Sequence, residues 1–227
     1  MKEETIVISL GGSIIIPEEL DTEFLANFRE LILKYVAQGK KIIITTGGGK
    51  ICRKYQDAAK KLSDPSSEDL DWIGIAALKL NAELVRVLFK DKAHPEVIAD
   101  LSKPFIFEKP IVIGSAYRPN ASSDVDAILA AITVGAKRVI NLSNIDYAYD
   151  KDPNKYPDAK KIENISWAEY RDLIPKEWNP GLSTPFDPVA SEMAEKEGIE
   201  VDILNGCDIA NLDKCLNGEK FMGTVIR

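Results

Sequence analysis

The chain has 227 residues, with 29 lysines and arginines against 36 aspartates and glutamates, and a formal charge of −7. With 45% hydrophobic and 29% charged residues, the composition is that of a globular protein, which excludes intrinsic disorder as the main state. The acidic balance argues against extended, sequence-independent contact with nucleic acid. No apolar run is long enough to predict a membrane-spanning helix.

Strands and helices are predicted to alternate along the chain. Short apolar runs predict strands at 5–10, 41–46, 96–98, 111–114, 139–142, 201–204 and 225–226. Apolar residues at helical spacing predict helices over 21–39, from the glycines at 47–49 to 62, over 68–89, after 122–123, near 167 and over 189–196. This alternation predicts an α/β sandwich with a mostly parallel sheet covered on both faces.

The reactive side chains restrict the chemistry. Cys52, Cys207 and Cys215 stand at unrelated spacings, which indicates a reducing compartment without a disulfide framework. The N-terminal residues do not resemble a secretory signal, so we expect a cytoplasmic protein. His94 is the one histidine, which disfavours histidine triads and zinc sites, and we predict no metal site built by the protein alone. The groups left to bind a ligand or carry a reaction are glycine backbone, hydroxyls, carboxylates, lysines and arginines. This set favours phosphate chemistry.

Glycine-rich turns follow the first two predicted strands, at Gly11-Gly12-Ser13 and at Gly47-Gly48-Gly49-Lys50. Glycine lets the backbone approach a ligand closely, and free backbone N–H groups at a helix N-terminus bind phosphate oxygens. Lys50 and Arg53 lie near the start of the helix that follows. The same residues also fit a tight turn with two solvated cations. Neither turn matches the Walker or G-x-G-x-x-G patterns, which disfavours those two nucleotide-binding folds.

Two further polar loops follow later strands. Residues 114–124 contain an arginine, three serines, a tyrosine and an asparagine, and residues 141–153 contain hydroxyls, a tyrosine and several carboxylates. The second loop would also fit an irregular surface turn. If all four loops lie at one edge of the sheet, they form the ligand crevice expected of open α/β sheets.

The ordered set of motifs resembles the amino-acid kinase superfamily. The motifs that carry the resemblance are Gly11-Gly12-Ser13, Gly47-Gly48-Gly49-Lys50-x-x-Arg53, Asp71-x-Ile-Gly and Ser122-Ser123-Asp124-x-x-Ala. Other motifs are most similar to uridylate (UMP) kinases of the archaeal type, namely Asn144-x-Asp-x-x-Tyr-x-x-Asp-Pro, Asp187-Pro-x-Ala and Gly223-Thr-x-Ile. The resemblance spans nearly the whole chain.

The resemblance implies a three-layer α/β/α fold in a single domain, 1–227, whose part up to about 135 binds the acceptor and whose part from about 136 binds ATP. It implies transfer of the γ-phosphoryl group of ATP to UMP, with Mg²⁺ carried by ATP. It also implies a homo-oligomer, expected to be a hexamer. Neither nucleic acid nor a membrane is expected as a partner.

The resemblance also implies roles for individual residues. Those expected to contact ATP are Gly12, Ser13, Gly49, Arg53, Ser143, Asn144, Tyr149 and Asp152. Those expected on the acceptor side are Gly48, Asp71, Tyr117, Arg118, Asn120, Ser122 and Ser123. Asp124 matches an acidic residue that organises cationic side chains at the transfer site. The segment 178–185 is expected to flank the ATP pocket.

Two positions depart from the family pattern. Ser9 stands where many members carry a lysine that neutralises the transferring phosphoryl group, although archaeal-type enzymes often lack it too. Phosphoryl transfer needs a cation, so Lys50 is the catalytic candidate, with Arg53 and Asp124 beside it. The acceptor loop from Tyr117 to Ala121 is also unusual. Arg118 could bind an acceptor phosphate or carboxylate, or point into solvent.

Two alternatives to a UMP kinase stay open. One is a kinase of the same fold that acts on another small phosphate or carboxylate acceptor, such as an acyl or isoprenoid phosphate. The other is a non-catalytic nucleotide-binding or storage protein.

Overall fold

The structure, a computed structural model, describes residues 5–153, 155–177 and 184–227. Within these residues, seven strands form one sheet and two more form a separate ribbon. In chain order the strands are β1 (Thr5–Leu10), β2 (Lys41–Thr46), β3 (Ile111–Gly114), β4 (Arg138–Ser143), β5 (Ala148–Tyr149), β6 (Lys161–Ile162), β7 (Asn164–Ile165), β8 (Glu200–Asn205) and β9 (Thr224–Ile226). The order across the sheet is β3-β2-β1-β4-β8-β9-β7, and the ribbon pairs β5 with β6.

Helices occupy most of the connections between the strands. They are α1 (Gly12–Ile15), α2 (Thr22–Ala37), α3 (Gly49–Leu62), α4 (Ser67–Phe89), α5 (Ser123–Val134), α6 (Trp167–Leu173), α7 (Pro188–Glu197) and α8 (Ile209–Leu216). Their ends carry the expected signals. Asp21 caps α2 by accepting a hydrogen bond from the Phe24 N–H group, and glycines in the left-handed conformation end α5 and α7.

The central strands are apolar on both faces because both faces are covered. Along β2, Ile42 and Ile44 face one hydrophobic core, which α2, α4 and α8 cover, while Ile43 faces a second core, which α5, α6 and α7 cover. Two helical layers therefore enclose one sheet. β3, β2, β1, β4 and β8 are parallel neighbours, and β9 runs antiparallel to β8. The expected three-layer fold with a mostly parallel sheet is confirmed.

The structure differs from the sequence prediction in several short elements. The strand predicted at 96–98 is wrong: only isolated bridges, Ala93 with Ile111 and Ile98 with Gly114, extend the sheet there. The ribbon β5–β6, strand β7 and helices α1 and α8 were not predicted, because segments of two to eight residues carry too few positions to show a period. None of the helices in the described segments is both long and apolar enough to cross a membrane.

Candidate functional site

The four loops singled out in the sequence lie at the edge where the parallel strands β1 to β4 end. The register places the last residues of β1 and β2, Leu10 and Thr46, side by side, with the ends of β3 and β4 flanking them. The order in which strands are added to the sheet reverses at β1: β2 and β3 lie on one side of β1, and β4 and β8 lie on the other. Open α/β sheets bind ligands at such a reversal. The candidate site therefore lies outside the ends of β1 and β4.

The two glycine turns touch each other backbone to backbone. The Gly47 N–H group donates to the Leu10 carbonyl at 3.0 Å, which fixes the second turn to the end of β1. A Cβ atom on Gly12 would lie only 2.6 Å from the Gly47 oxygen, and one on Gly49 would lie 2.8 Å from the Gly12 carbonyl carbon. Gly49 also has a φ of +64°, which other residues rarely adopt. Glycine is therefore required at both positions for the turns to meet.

A buried asparagine on α4 holds the second turn in place. The Nδ2 atom of Asn81 donates to the Gly47 carbonyl at 2.7 Å, and Asn81 is almost completely buried. The Thr46 hydroxyl donates to the Leu78 carbonyl of the same helix at 3.1 Å. Sequence reasoning missed Asn81, because one asparagine in an apolar helix carries no motif. Its signal would have been a polar residue on a helix face that otherwise packs in the core.

A cleft of about 460 Å³ opens beside the turns and brings together many of the residues singled out in the sequence. Those that line it are Ser13, Gly48, Gly49, Arg53, Asp71, Ser122, Ser123, Ser143 and Asn144. Gly12 lies directly beneath, against Gly49. Cys52 and Gln56 also line the cleft but were not assigned to it from the sequence. Burial raises the pKa of the Cys52 thiol, although the Arg53 charge opposes the shift.

The two cations of the second turn differ in position. Arg53 lines the cleft, whereas Lys50 does not. The Lys50 ammonium is paired with the carboxylate of Glu18, whose side chain is 76% exposed. An ion pair so open to water is weak and is readily exchanged for another anion. Lys50 is therefore near the cleft but directed away from it in this structure.

A pair of acidic residues lies at the junction of β1, α5 and α7. Asp124 accepts a hydrogen bond from the Ser9 hydroxyl at 3.2 Å and one from the Asp187 N–H group at 3.1 Å. Asp187 caps α7 by accepting from the Ala190 N–H group through Oδ1, while its Oδ2 is buried without a hydrogen-bond partner in the described parts of the chain.

The surroundings of these carboxyls shift their ionisation. Burial and the neighbouring Asp187 charge raise the pKa of Asp124 to about 7, and burial raises the pKa of Asp187 as well. Because the Asp187 charge raises the pKa of Asp124, a cation beside the pair would favour the ionised form of Asp124. Ser9, at the position where the sequence resemblance led us to expect a lysine, offers this pair a neutral hydroxyl.

The acceptor loop contacts the cleft mainly through its backbone. The Asn120 N–H group donates to Asp71 Oδ2 at 2.7 Å. Arg118 packs over the Tyr117 ring, with its guanidinium carbon 5.4 Å from the ring centroid, and its side chain is exposed. None of Tyr117, Arg118 and Asn120 lines the cleft, whereas Ala116 and Ala121 on either side do. The structure thus places these three predicted residues at the rim.

The loop after β4 is divided between the cleft and the ribbon. Ser143 and Asn144 line the cleft, but Tyr149 belongs to β5 and pairs with Lys161 of β6. Asp152 forms a 3.3 Å ion pair with Lys155 just beyond the ribbon. Within the segment expected to flank the ATP pocket, residues 178–183 lie outside the described residues, and Thr184 lines the cleft.

Known proteins resemble this chain over nearly its full length. Residues 4–205 match the amino acid kinase family. A uridylate kinase from Methanobrevibacter smithii is 35% identical over 225 residues, covering 97% of this chain and 98% of that protein. Another from Pyrococcus abyssi is 32% identical over 224 residues with the same coverage. The crystal structure of uridylate kinase from Archaeoglobus fulgidus superimposes with a TM-score of 0.79 at 29% identity, covering 99% of this chain and 100% of that one.

The contact between the turns predicts a specific effect of Gly49→Ala. We expect this variant to lose about 2 kcal/mol more stability than Gly218→Ala, because the added methyl collides with the Gly12 backbone. Gly218 is the matched control: its φ of +72° imposes the same backbone strain, but a Cβ there meets nothing within 4 Å. Urea unfolding measures the stabilities, and calorimetric titration with ATP should show weakened binding only for Gly49→Ala. If both variants lost the same free energy of unfolding, the proposed clash with the Gly12 backbone would be contradicted.

Proposed function

Because this chain belongs to the amino acid kinase family, we propose that it transfers the γ-phosphoryl group of ATP to UMP, giving ADP and UDP. The observation that carries the proposal is the single cleft in which the joined glycine turns meet Asp71 and the Ser122-Ser123 pair. Relatives at 32% and 35% identity over nearly the full chain are uridylate kinases, which supports this choice of substrates. All three cysteines are free, which is compatible with the cytoplasm as the place of the reaction.

The ATP phosphates would bind where the turns meet. Gly12, Ser13 and Gly49 present backbone N–H groups there, and the first N–H groups of a helix lack partners within it. The N-terminus of the 14-residue α3 adds a partial positive charge. Ser143 and Asn144 extend this surface toward the nucleoside. Tyr149 and Asp152 would complete the nucleoside contacts from the ribbon side, so that the chain from about 136 onward binds ATP.

The acceptor would bind on the opposite side of the cleft, in the part of the chain up to about 135. Gly48 borders the cleft, where its backbone would approach the UMP phosphate, and a Cβ atom at this position would lie only 2.7 Å from the Cys52 Cβ atom. Asp71 presents a carboxylate that accepts hydrogen bonds from ribose hydroxyls. The hydroxyls of Ser122 and Ser123 can donate to the UMP phosphate. Tyr117 and Arg118 would close the rim above it, and Asn120 would contribute through its backbone N–H group, which donates to Asp71.

The acidic pair fits the Mg²⁺ ion that travels with ATP. Carboxylate and hydroxyl oxygens are the ligand types that Mg²⁺ prefers, and Asp124, the unpartnered Oδ2 of Asp187 and the Ser9 hydroxyl supply them. When bound, the ion neutralises charge on the phosphates. Asp124 ionises near neutral pH and would thereby hold a cation beside the reacting phosphoryl group. Ser9 keeps the Asp124 carboxylate oriented by its hydrogen bond.

A coupled assay of ADP release tests the proposal. With ATP and Mg²⁺ present, UMP should give steady ADP release, and AMP and GMP should be much poorer acceptors. The same assay with CMP, dUMP and small acyl or isoprenoid phosphates separates a UMP kinase from a kinase for another acceptor. Tight nucleotide binding without ADP release for any acceptor would contradict the proposal and favour a binding or storage protein.

The cations of the second turn are expected to differ in role. We propose that Lys50 leaves Glu18 when ATP binds and acts mainly in the transition state. Lys50→Ala should then lower kcat by about 10²-fold, roughly 2.7 kcal/mol, with a modest change in KM. Arg53→Ala should instead raise the KM for ATP, because a guanidinium in the cleft grips phosphate directly.

Steady-state kinetics with Lys60→Ala as the control decides the point, since Lys60 is an exposed cation further along α3. If Lys50→Ala keeps more than about half of kcat, Lys50 remains a surface residue paired with Glu18. Arg53 or the metal ion would then supply the charge.

We also propose that the protein assembles as a homo-oligomer, with a hexamer as the expected form. The helices α3 and α4 leave apolar side chains uncovered, including Tyr55 at 65% and Leu80 at 59% exposure. Together with Leu20 and Leu84 they line a groove of about 480 Å³. Apolar surface of this kind indicates a protein contact, and a second copy of the chain is the expected occupant.

Light scattering coupled to gel filtration tests the assembly. The protein should elute as a homo-oligomer of about six subunits, and Leu80→Glu should shift it to smaller species, because a charge would be buried in the contact. Leu173→Glu is the control, since Leu173 is similarly exposed on α6 at the opposite face of the sheet. A stable monomer at micromolar concentration would overturn the proposal.

A further inference from the structure

One hydrogen bond ties the acceptor loop to α4 across 49 positions of sequence. The Asn120 N–H group donates to Asp71 Oδ2 at 2.7 Å, and Asp71 itself is 8% exposed at the wall of the cleft. Within residues 5–153, 155–177 and 184–227, no hydrogen bond to the other oxygen, Oδ1, is found. One oxygen of this carboxylate is therefore held by the loop, and the other is left for a ligand in the cleft.

Asn120 makes this contact only because of its backbone conformation. Its φ is +61°, and Lys90 is the one other non-glycine residue with a positive φ in the described segments. Asparagine adopts this left-handed conformation more readily than most residues, whereas a β-branched residue strongly resists it. The Asn120 side chain is exposed and does not line the cleft. The functional group is thus the peptide N–H, aimed inward by an unusual φ.

The remaining surroundings of Asp71 also restrain it. The neighbouring Leu70 carbonyl accepts a hydrogen bond from the buried side chain of Gln56 at 2.9 Å, which joins α3 to this turn of α4. The backbone carrying Asp71 is therefore fixed by Gln56, while its carboxylate is oriented by Asn120. A rigid acceptor with one oriented oxygen suits a ligand that presents a hydroxyl group at a fixed position.

We propose that Asn120 is a positioning residue that orients the Asp71 carboxylate toward the ribose hydroxyls of the acceptor, and that it thereby sets the preference for ribonucleotides over 2′-deoxyribonucleotides. This inference rests on the proposed function. A site built to hydrogen-bond a hydroxyl rejects the analogue that lacks it, but only while the acceptor oxygen is held in place. A carboxylate free to rotate would lose that discrimination.

Three substitutions at one position separate backbone from side-chain effects. Asn120→Gly removes the side chain but keeps φ near +61°, so the KM for UMP should stay within about twofold of the wild-type value. Asn120→Val forces φ negative and withdraws the N–H group, so the KM for UMP should rise about tenfold or more, with the KM for ATP unchanged. Asn120→Ala should lie between them. Thermal unfolding of each variant shows that the fold is retained.

The preference for UMP over dUMP is the deciding readout. We expect the kcat/KM for UMP divided by the kcat/KM for dUMP to fall about tenfold in Asn120→Val and to keep its wild-type value in Asn120→Gly. In an Asp71→Ala background, Asn120→Val should change neither the KM for UMP nor the preference for UMP over dUMP any further, because the two residues act through one contact. The proposal would be overturned if Asn120→Gly and Asn120→Val had the same KM for UMP and the same preference for UMP over dUMP, or if the effects of Asn120→Val and Asp71→Ala were additive. It would also be overturned if the wild-type protein used UMP without preferring it over dUMP.

Absence of any UMP-dependent ADP release would instead refute the proposed function.

Discussion

The site depends on one close approach of two backbones, that of Gly12 after β1 and that of the Gly47–Gly49 turn after β2. Any side chain at Gly12 or Gly49 would overlap the opposite turn, so the contact exists only because both positions lack a Cβ atom. The contact joins the start of α3 to the end of β1, at the point where the sheet reverses its strand order. It thereby brings the backbone N–H groups that open α1 and α3 into one small region, and the cleft, the acidic pair and the acceptor loop are arranged around it.

In the proposed function, the charges around this contact are balanced by ATP and Mg²⁺. Asp124 and Asp187 place two carboxyls in surroundings that disfavour their ionised forms, and the pKa of Asp124 rises to about 7 as a result. The cations stand apart from them, with Arg53 at the cleft wall and Lys50 on Glu18. An ATP–Mg²⁺ complex brings both signs of charge, so it can satisfy the carboxyls and the cations together. Preorganised charges of this kind are the main means of catalysing phosphoryl transfer.

The sequence predicted the elements whose residues are close together along the chain, such as β1, β2 and the glycine turns that follow them. The runs that form β1 and β2 and their glycine turns are short and unambiguous, and parallel strands bring the ends of successive strands to the same edge. Contacts between distant residues were beyond such reasoning. The Asn81 amide reaches a turn 34 positions away, and Asn120 reaches Asp71 across 49. The pairing of Lys50 with Glu18 was also unforeseeable, because it depends on the path of the chain after α1.

A crystal structure of the protein with a non-hydrolysable ATP analogue, Mg²⁺ and UMP tests the central claim most directly. The account predicts that oxygens of the β- and γ-phosphates lie within about 3.2 Å of the backbone nitrogens of Gly12, Ser13 or Gly49. It also predicts that the two glycine turns remain in contact and that UMP lies on the Asp71 side of the cleft. Phosphates bound away from the joined turns, or turns that separate to admit them, would contradict it.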